Sequence, residues 1–203
     1  GPGGAPHLFL GDIGDNAAAR GSIQVYRVAE PVLNLGATGQ HLATEAAAVF
    51  NLAYEDGPRD AEGLMVHPTS GRLYVVTKAL AGSRVYAAPH PLQPGQVNIL
   101  ARVADVRFRA RPNATPEQLV RASLATGAAI SPDGKRLVIR TYSDGWEWTI
   151  PRTGVEAAFR RKPLQVKLPA QPQGEAICYR GDGKALWIST EGAKTPVHEL
   201  IRR

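Results

Sequence analysis

DAEGLMVHPTSGRLYVVTK (residues 60–78), ATGAAISPDGKRLVIRTY (residues 125–142) and QGEAICYRGDGKALWISTE (residues 173–191) follow one plan. Each has a small or acidic lead-in, an apolar strand, a Gly-containing turn, a second apolar strand and a polar end. Two apolar runs broken by such a turn are the pattern of a β-hairpin. A hairpin cannot bury its own apolar faces, so copies of it must stack against one another. The copies begin roughly 50 to 65 residues apart, near the length of a four-stranded β-propeller blade. The expectation is an all-β fold of propeller type.

Further β-rich runs follow each hairpin. Third strands are expected at residues 22–28, 84–87, 146–150 and 197–201, and fourth strands at 48–54, 97–106 and 164–168, each bounded by Pro, Gly or Asp. The chain then divides into a partial first blade (1–56) and blades at about 57–106, 107–169 and 170–203. One segment breaks the pattern: Thr115, Pro116 and Glu117 read as the N-cap, first position and first turn of a short helix. Near the N-terminus, residues 7–12 (HLFLGD) resemble the second strand of a hairpin, with residues 1–4 as the turn before it. About four blades with both ends ragged predict an incomplete ring, with missing blades or another chain at the open edges.

Composition narrows the functional classes. The chain has 203 residues, 43% of them hydrophobic, and a net charge of +6. No run approaches the roughly 18–20 apolar residues that span a bilayer, so no membrane span is expected. The arginines at 107, 109, 111, 160 and 161 are not interleaved with exposed aromatics, so nucleic acid is not the expected partner. Cys178 is the single cysteine. That excludes an intrachain disulfide, and its mid-strand position reads as a buried, inert thiol. His7, His41, His67, His90 and His198 share no spacing, which speaks against a histidine metal site or a His-based nucleophilic system.

In a propeller, the start of each innermost strand and the end of the second strand share one rim. The starts carry Asp60, Glu62 and Glu175, with Gly127 at the matching place of the middle repeat. The ends carry Asp12, Asp15 and Asn16, then Lys78, then Ser143 and Asp144, then Glu191. Carboxylates from separate repeats should therefore converge on one mouth of the channel, and oxygen-rich clusters suit calcium. GDIGDN (residues 11–16) places three oxygen side chains in a Gly-rich run. It reads equally as a turn closed by Asx hydrogen bonds. Glu62 and Glu175 read either as channel lining or as structural carboxylates that accept backbone amides or pair with an Arg.

GDIGDN, DAEGL (residues 60–64), SPDGKRL (residues 131–137) and QGEAI (residues 173–177) resemble bacterial secreted β-propellers similar to the esterase-like phytase and TolB or NHL-type propellers. The resemblance implies a ring with more blades, a secreted, periplasmic or cell-surface location, and calcium-dependent phosphoester hydrolysis. Two functions follow. One is a non-catalytic binding propeller whose acidic rim holds calcium and a small-molecule or protein ligand. The metal set is then Asp12, Asp15, Asn16, Glu62 and Glu175, with Arg59, Asp60, Lys78, Asp144 and Glu191 on the ligand. The other is a metal-dependent hydrolase of phosphoesters or lactones, with Glu62, Glu175 and Asp12 on the metal and Lys78 and Arg59 facing a phosphate.

Overall fold

A computed structural model describes residues 6–34, 36, 38–39 and 41–201. The elements run β1 (His7–Asp12), β2 (Ile23–Ala29), β3 (Ala48–Tyr54), β4 (Ala61–Val66), β5 (Leu73–Thr77), β6 (Ser83–Ala87), β7 (Val97–Val106), α1 (Pro116–Ser123), β8 (Ala125–Ile130), β9 (Arg136–Thr141), β10 (Asp144–Thr149), α2 (Val155–Ala158), β11 (Leu164–Lys167), β12 (Gly174–Tyr179), β13 (Ala185–Thr190) and β14 (His198–Ile201). The described residues are all-β apart from the two short helices. The turn expected at residues 1–4 lies outside the described residues.

The three quoted repeats are the hairpins β4–β5, β8–β9 and β12–β13, each antiparallel. Two of their turns are closed alike. Gly134 N–H donates to the Ser131 carbonyl (2.8 Å), and Lys135 N–H to Asp133 Oδ1 (3.1 Å). Gly183 N–H donates to the Arg180 carbonyl (2.7 Å), and Lys184 N–H to Asp182 Oδ1 (2.9 Å). The φ of +68° at Gly134 and +69° at Gly183 is a conformation in which a Cβ would be strained. α1 starts where Thr115 and Gln118 close a capping box, with Pro116 just inside. The short α2 was not foreseen; it buries Val155 and Ala158.

Successive repeats pack face to face, and the second strand of a repeat shows how. All five residues of β5 are buried. Leu73 and Val75 join a core with Ile23, Val25, Phe50 and Leu52 of the preceding repeat. Tyr74 and Val76 join another with Leu137, Ile139, Trp146 and Trp148 of the following one. β9 repeats the device, with Val138 turned to a third core containing Ile177, Tyr179, Leu186 and Ile188. Strand alternation thus serves two cores at once. On the first and last sheets, Leu8, Leu10 and Trp187 remain exposed.

The innermost strands β4, β8 and β12 lie side by side without pairing into one sheet. Glycine permits this approach: a Cβ on Gly127 would stand 2.5 Å from the Glu175 carbonyl oxygen. Arg140 of β9 then crosses the seam. It is fully buried, and its Nη1 donates to the carbonyls of Ala176 (2.8 Å) and Ser189 (3.3 Å) while Nη2 reaches Gln171 Oε1 (3.1 Å).

Two expectations need correction. The blades expected at 1–56 and 57–106 do not form separate sheets. Their outer strands β3 and β7 pair in parallel, giving one seven-stranded sheet in the order β1-β2-β3-β7-β6-β5-β4. Both would otherwise leave an edge of unpaired N–H and C=O groups, and pairing removes it. β8–β11 form a four-stranded sheet and β12–β14 a three-stranded one. Cys178, expected to be buried, is exposed. Ile177 and Tyr179 take the inward positions of β12, so the residue between them faces out.

Candidate functional site

A cavity of about 540 Å³ opens where the innermost strands meet, lined by Gly11 and Ile13, by Glu62 of β4, by Thr126 and Gly127 of β8 and by Glu175 of β12. The strand registers place Thr126, not Gly127 as expected, at the repeat position that holds Glu62 and Glu175 in the flanking copies, each at a break in the pairing of its innermost strand. Thr126 Oγ1 donates to the Gly174 carbonyl (2.8 Å), so the middle copy adds no third carboxylate.

Lys78, at the end of β5, donates from Nζ to Glu62 Oε1 (2.7 Å) and to the Tyr142 hydroxyl (2.8 Å), and lies 5.0 Å from the centre of the Tyr142 ring. Burial alone would lower the Lys78 ammonium, but its hydrogen bonds to Glu62 and Tyr142 outweigh that and raise it. It therefore stays charged and neutralises one carboxylate. The other oxygen of Glu62, Oε2, is buried without a hydrogen-bond partner. Burial pushes the Glu175 carboxyl above its ordinary value; the charge of Glu62 adds to the rise, and Lys78 and the Gln173 amide oppose it. When protonated, Glu175 can donate to Glu62, and a cation or a donor group bound between them would displace that proton. Tyr142, which links this mouth to the next loop, was absent from the sequence-derived site.

The remaining expected residues are placed elsewhere or are engaged. Asp12 is held by Arg20 through both carboxylate oxygens (2.8 and 3.0 Å). Asp15 accepts from Arg20 N–H (2.8 Å) and donates its own N–H to Asp60 Oδ1 (2.7 Å). GDIGDN is thus a turn fastened by Arg20 and Asp60, with Asn16 exposed beside it. Arg59 pairs with Asp56 (3.0 Å) and donates to the Tyr86 hydroxyl (2.7 Å). Asp144 is buried against Arg111. Glu191 accepts from the Gln173 amide. The expected metal set is therefore not one cluster: Asp12 and Asp15 are tied to Arg20, and only Glu62 and Glu175 share a site. Among the described residues, no three acidic, His or Cys side chains gather where they could hold a metal ion.

Arg140 was also missed. Burial lowers its guanidinium to about 10, and the charge of Glu175 opposes this. A charged residue inside the apolar run LVIRTY (residues 137–142) was the signal available.

No protein-family model matches the sequence, and no curated protein is similar to it in sequence. Solved structures with the same fold do match. One belongs to a nidogen/laminin complex, at 10% identity and a TM-score of 0.51, covering 97% of this chain and 58% of that one. Another is described as a candidate 6-phosphogluconolactonase from Bacteroides uniformis, at 13% identity and 0.51, covering 97% and 64%. A third, from Bacteroides fragilis and described in the same terms, has 12% identity and 0.50, covering 96% and 52%. The chain spans about 52–64% of these structures. These structural neighbours are propeller proteins, and at these identities the likeness is one of fold alone. No helix among the described residues is long and apolar enough to cross a membrane.

Proposed function

We propose that this chain is a non-catalytic binding propeller, four repeat units around one channel, whose ligand docks at the mouth between Glu62 and Glu175 and is held there with calcium. One observation carries the reading. The same repeat position supplies both carboxylates, with Thr126 there in the copy between them, and one buried oxygen of Glu62 lacks a partner. The pair offers four of the six to eight oxygens calcium takes, the rest coming from ligand or water. Lys78 competes for the same carboxylate, so calcium binding requires it to leave Glu62 Oε1. Further blades or another chain would pack on the exposed faces at Leu8, Leu10 and Trp187.

Thermal melting in chelator and in calcium tests this with wild type, Glu62→Gln, Glu175→Gln and Lys78→Met. Calcium should raise the melting temperature of wild type, more so in Lys78→Met, and not in the two glutamine variants. No response in either wild type or Lys78→Met would refute it.

A second reading is hydrolysis of lactones or phosphoesters. Glu175, with its raised carboxyl beside Lys78, is a general acid in the making, and two structural neighbours are described as candidate lactonases. Turnover of a δ-lactone that is lost in Glu175→Gln would favour it over binding alone.

A further inference from the structure

A second cavity, of about 490 Å³, lies under α1 on the Tyr142 side of the mouth, closed by the segment between β11 and β12. It falls in the size range of small-molecule pockets. Its walls include Pro112, Ala114, Ala122, Leu168 and Ala170, which offer apolar surface and no hydrogen-bonding side chains. Its polar groups are unequal in sign. Arg111 is neutralised by Asp144. Arg121 is not: Nη2 donates to the carbonyls of Gln171 (3.0 Å) and Pro172 (2.9 Å), and its Cζ lies 5.2 Å from the Tyr142 ring, all neutral partners. Lys167 adds a second positive charge at the opening.

The independent sign of a ligand is Gln171. The residue is 6% exposed and lines the cavity; Oε1 is taken by Arg140, while Nε2 is buried with no partner. A buried donor left unmade is costly, and a bound acceptor would satisfy it.

We propose that this cavity binds a small organic carboxylate with an apolar body, distinct from the ligand of the acidic mouth. The carboxylate lies against Arg121 with Lys167 nearby, since a planar anion matches a guanidinium edge. The apolar body fills the space walled by Ala114, Ala122 and Leu168. A bare phosphate would match the charge and leave those walls wet.

The probes are benzoate, its neutral analogue benzamide, and inorganic phosphate, followed by ligand-observed NMR and calorimetry on the folded protein. Wild type should bind benzoate saturably and benzamide not at all. Arg121→Gln should weaken benzoate by about tenfold or more, Lys167→Gln by less, and Ala114→Leu should block it by filling the cavity. Glu62→Gln and Lys162→Gln, the latter exposed and outside the cavity, should leave binding unchanged. Because Lys167 is exposed, its variant tests the charge even where Arg121→Gln fails to fold. Absence of saturable benzoate binding would overturn the proposal. So would phosphate or benzamide binding as tightly as benzoate, loss of binding in Glu62→Gln, or no change in both Lys167→Gln and Ala114→Leu.

Discussion

Replacing Gly174 by alanine tests the seam between the last two sheets. A Cβ there would stand 1.9 Å from Arg140 Nη2 and 2.8 Å from Cζ, inside any permissible contact. The guanidinium would have to move, although it is fully buried and bonded to Ala176, Ser189 and Gln171. Hydrogen bonds to a charged group are worth about 1.5–3 kcal/mol each. Losing two of them, with the guanidinium still out of water, costs about 3–6 kcal/mol. For a chain of this size each kcal/mol moves the midpoint by about 2–4 °C, so a fall of about 10 °C is expected. Urea unfolding and calorimetry measure it. Gly21→Ala, where a Cβ meets nothing within 4 Å, is the control and should stay within about 1 kcal/mol of wild type. Arg140→Met removes the clashing group, so Gly174→Ala/Arg140→Met should be less destabilised than the sum of its parts, by about 2 kcal/mol. A Gly174→Ala variant as stable as the control, or strict additivity in the cycle, would refute the account.

The raised carboxyl of Glu175 implies that the native state binds a proton the unfolded chain has already lost. Stability should therefore fall as pH rises from the ordinary carboxylate range through the native value, and Glu175→Gln should flatten that slope in urea titrations. Glu62→Gln, which removes the repelling charge, should bring the Glu175 titration down, and Lys78→Met should push it further up, both readable by carboxyl NMR. Cys178 should be labelled by a thiol reagent in the folded protein, since it is exposed. Partial desolvation by its neighbours still raises its thiol, so the rate should climb with pH through the alkaline range; complete protection at every pH would contradict its outward position.

The hairpins were legible because their signals are local. Apolar runs on either side of SPDGKR and RGDGKA need no distant partner to be read, and the Thr115–Gln118 cap is written within four residues. The convergence of Glu62 and Glu175 was also legible, since equivalent repeat positions are related by rotation about one axis. The parallel pairing of β3 with β7 was not, because it depends on how two outer edges dock after each repeat has formed. Asp12 and Asp15 look like ligands in sequence. Only the fold brings Arg20 and the Asp15–Asp60 contact into place to occupy them. Arg140 and Gln171 gain their meaning from burial, which no short window of sequence reports.

Because odd and even residues of β5 belong to different cores, that strand is a shared wall, and β9 is another. Arrays of this kind open by fraying, from whichever sheet has a neighbour on one face only. Amide exchange should then be slowest in β5 and β9 and fastest in β12–β14 and β1. The acidic mouth takes Glu62 from one sheet, Tyr142 from the next and Glu175 from the third, so it straddles both seams between them. Whatever settles there draws the walls together, and its affinity becomes a measure of the array's cohesion.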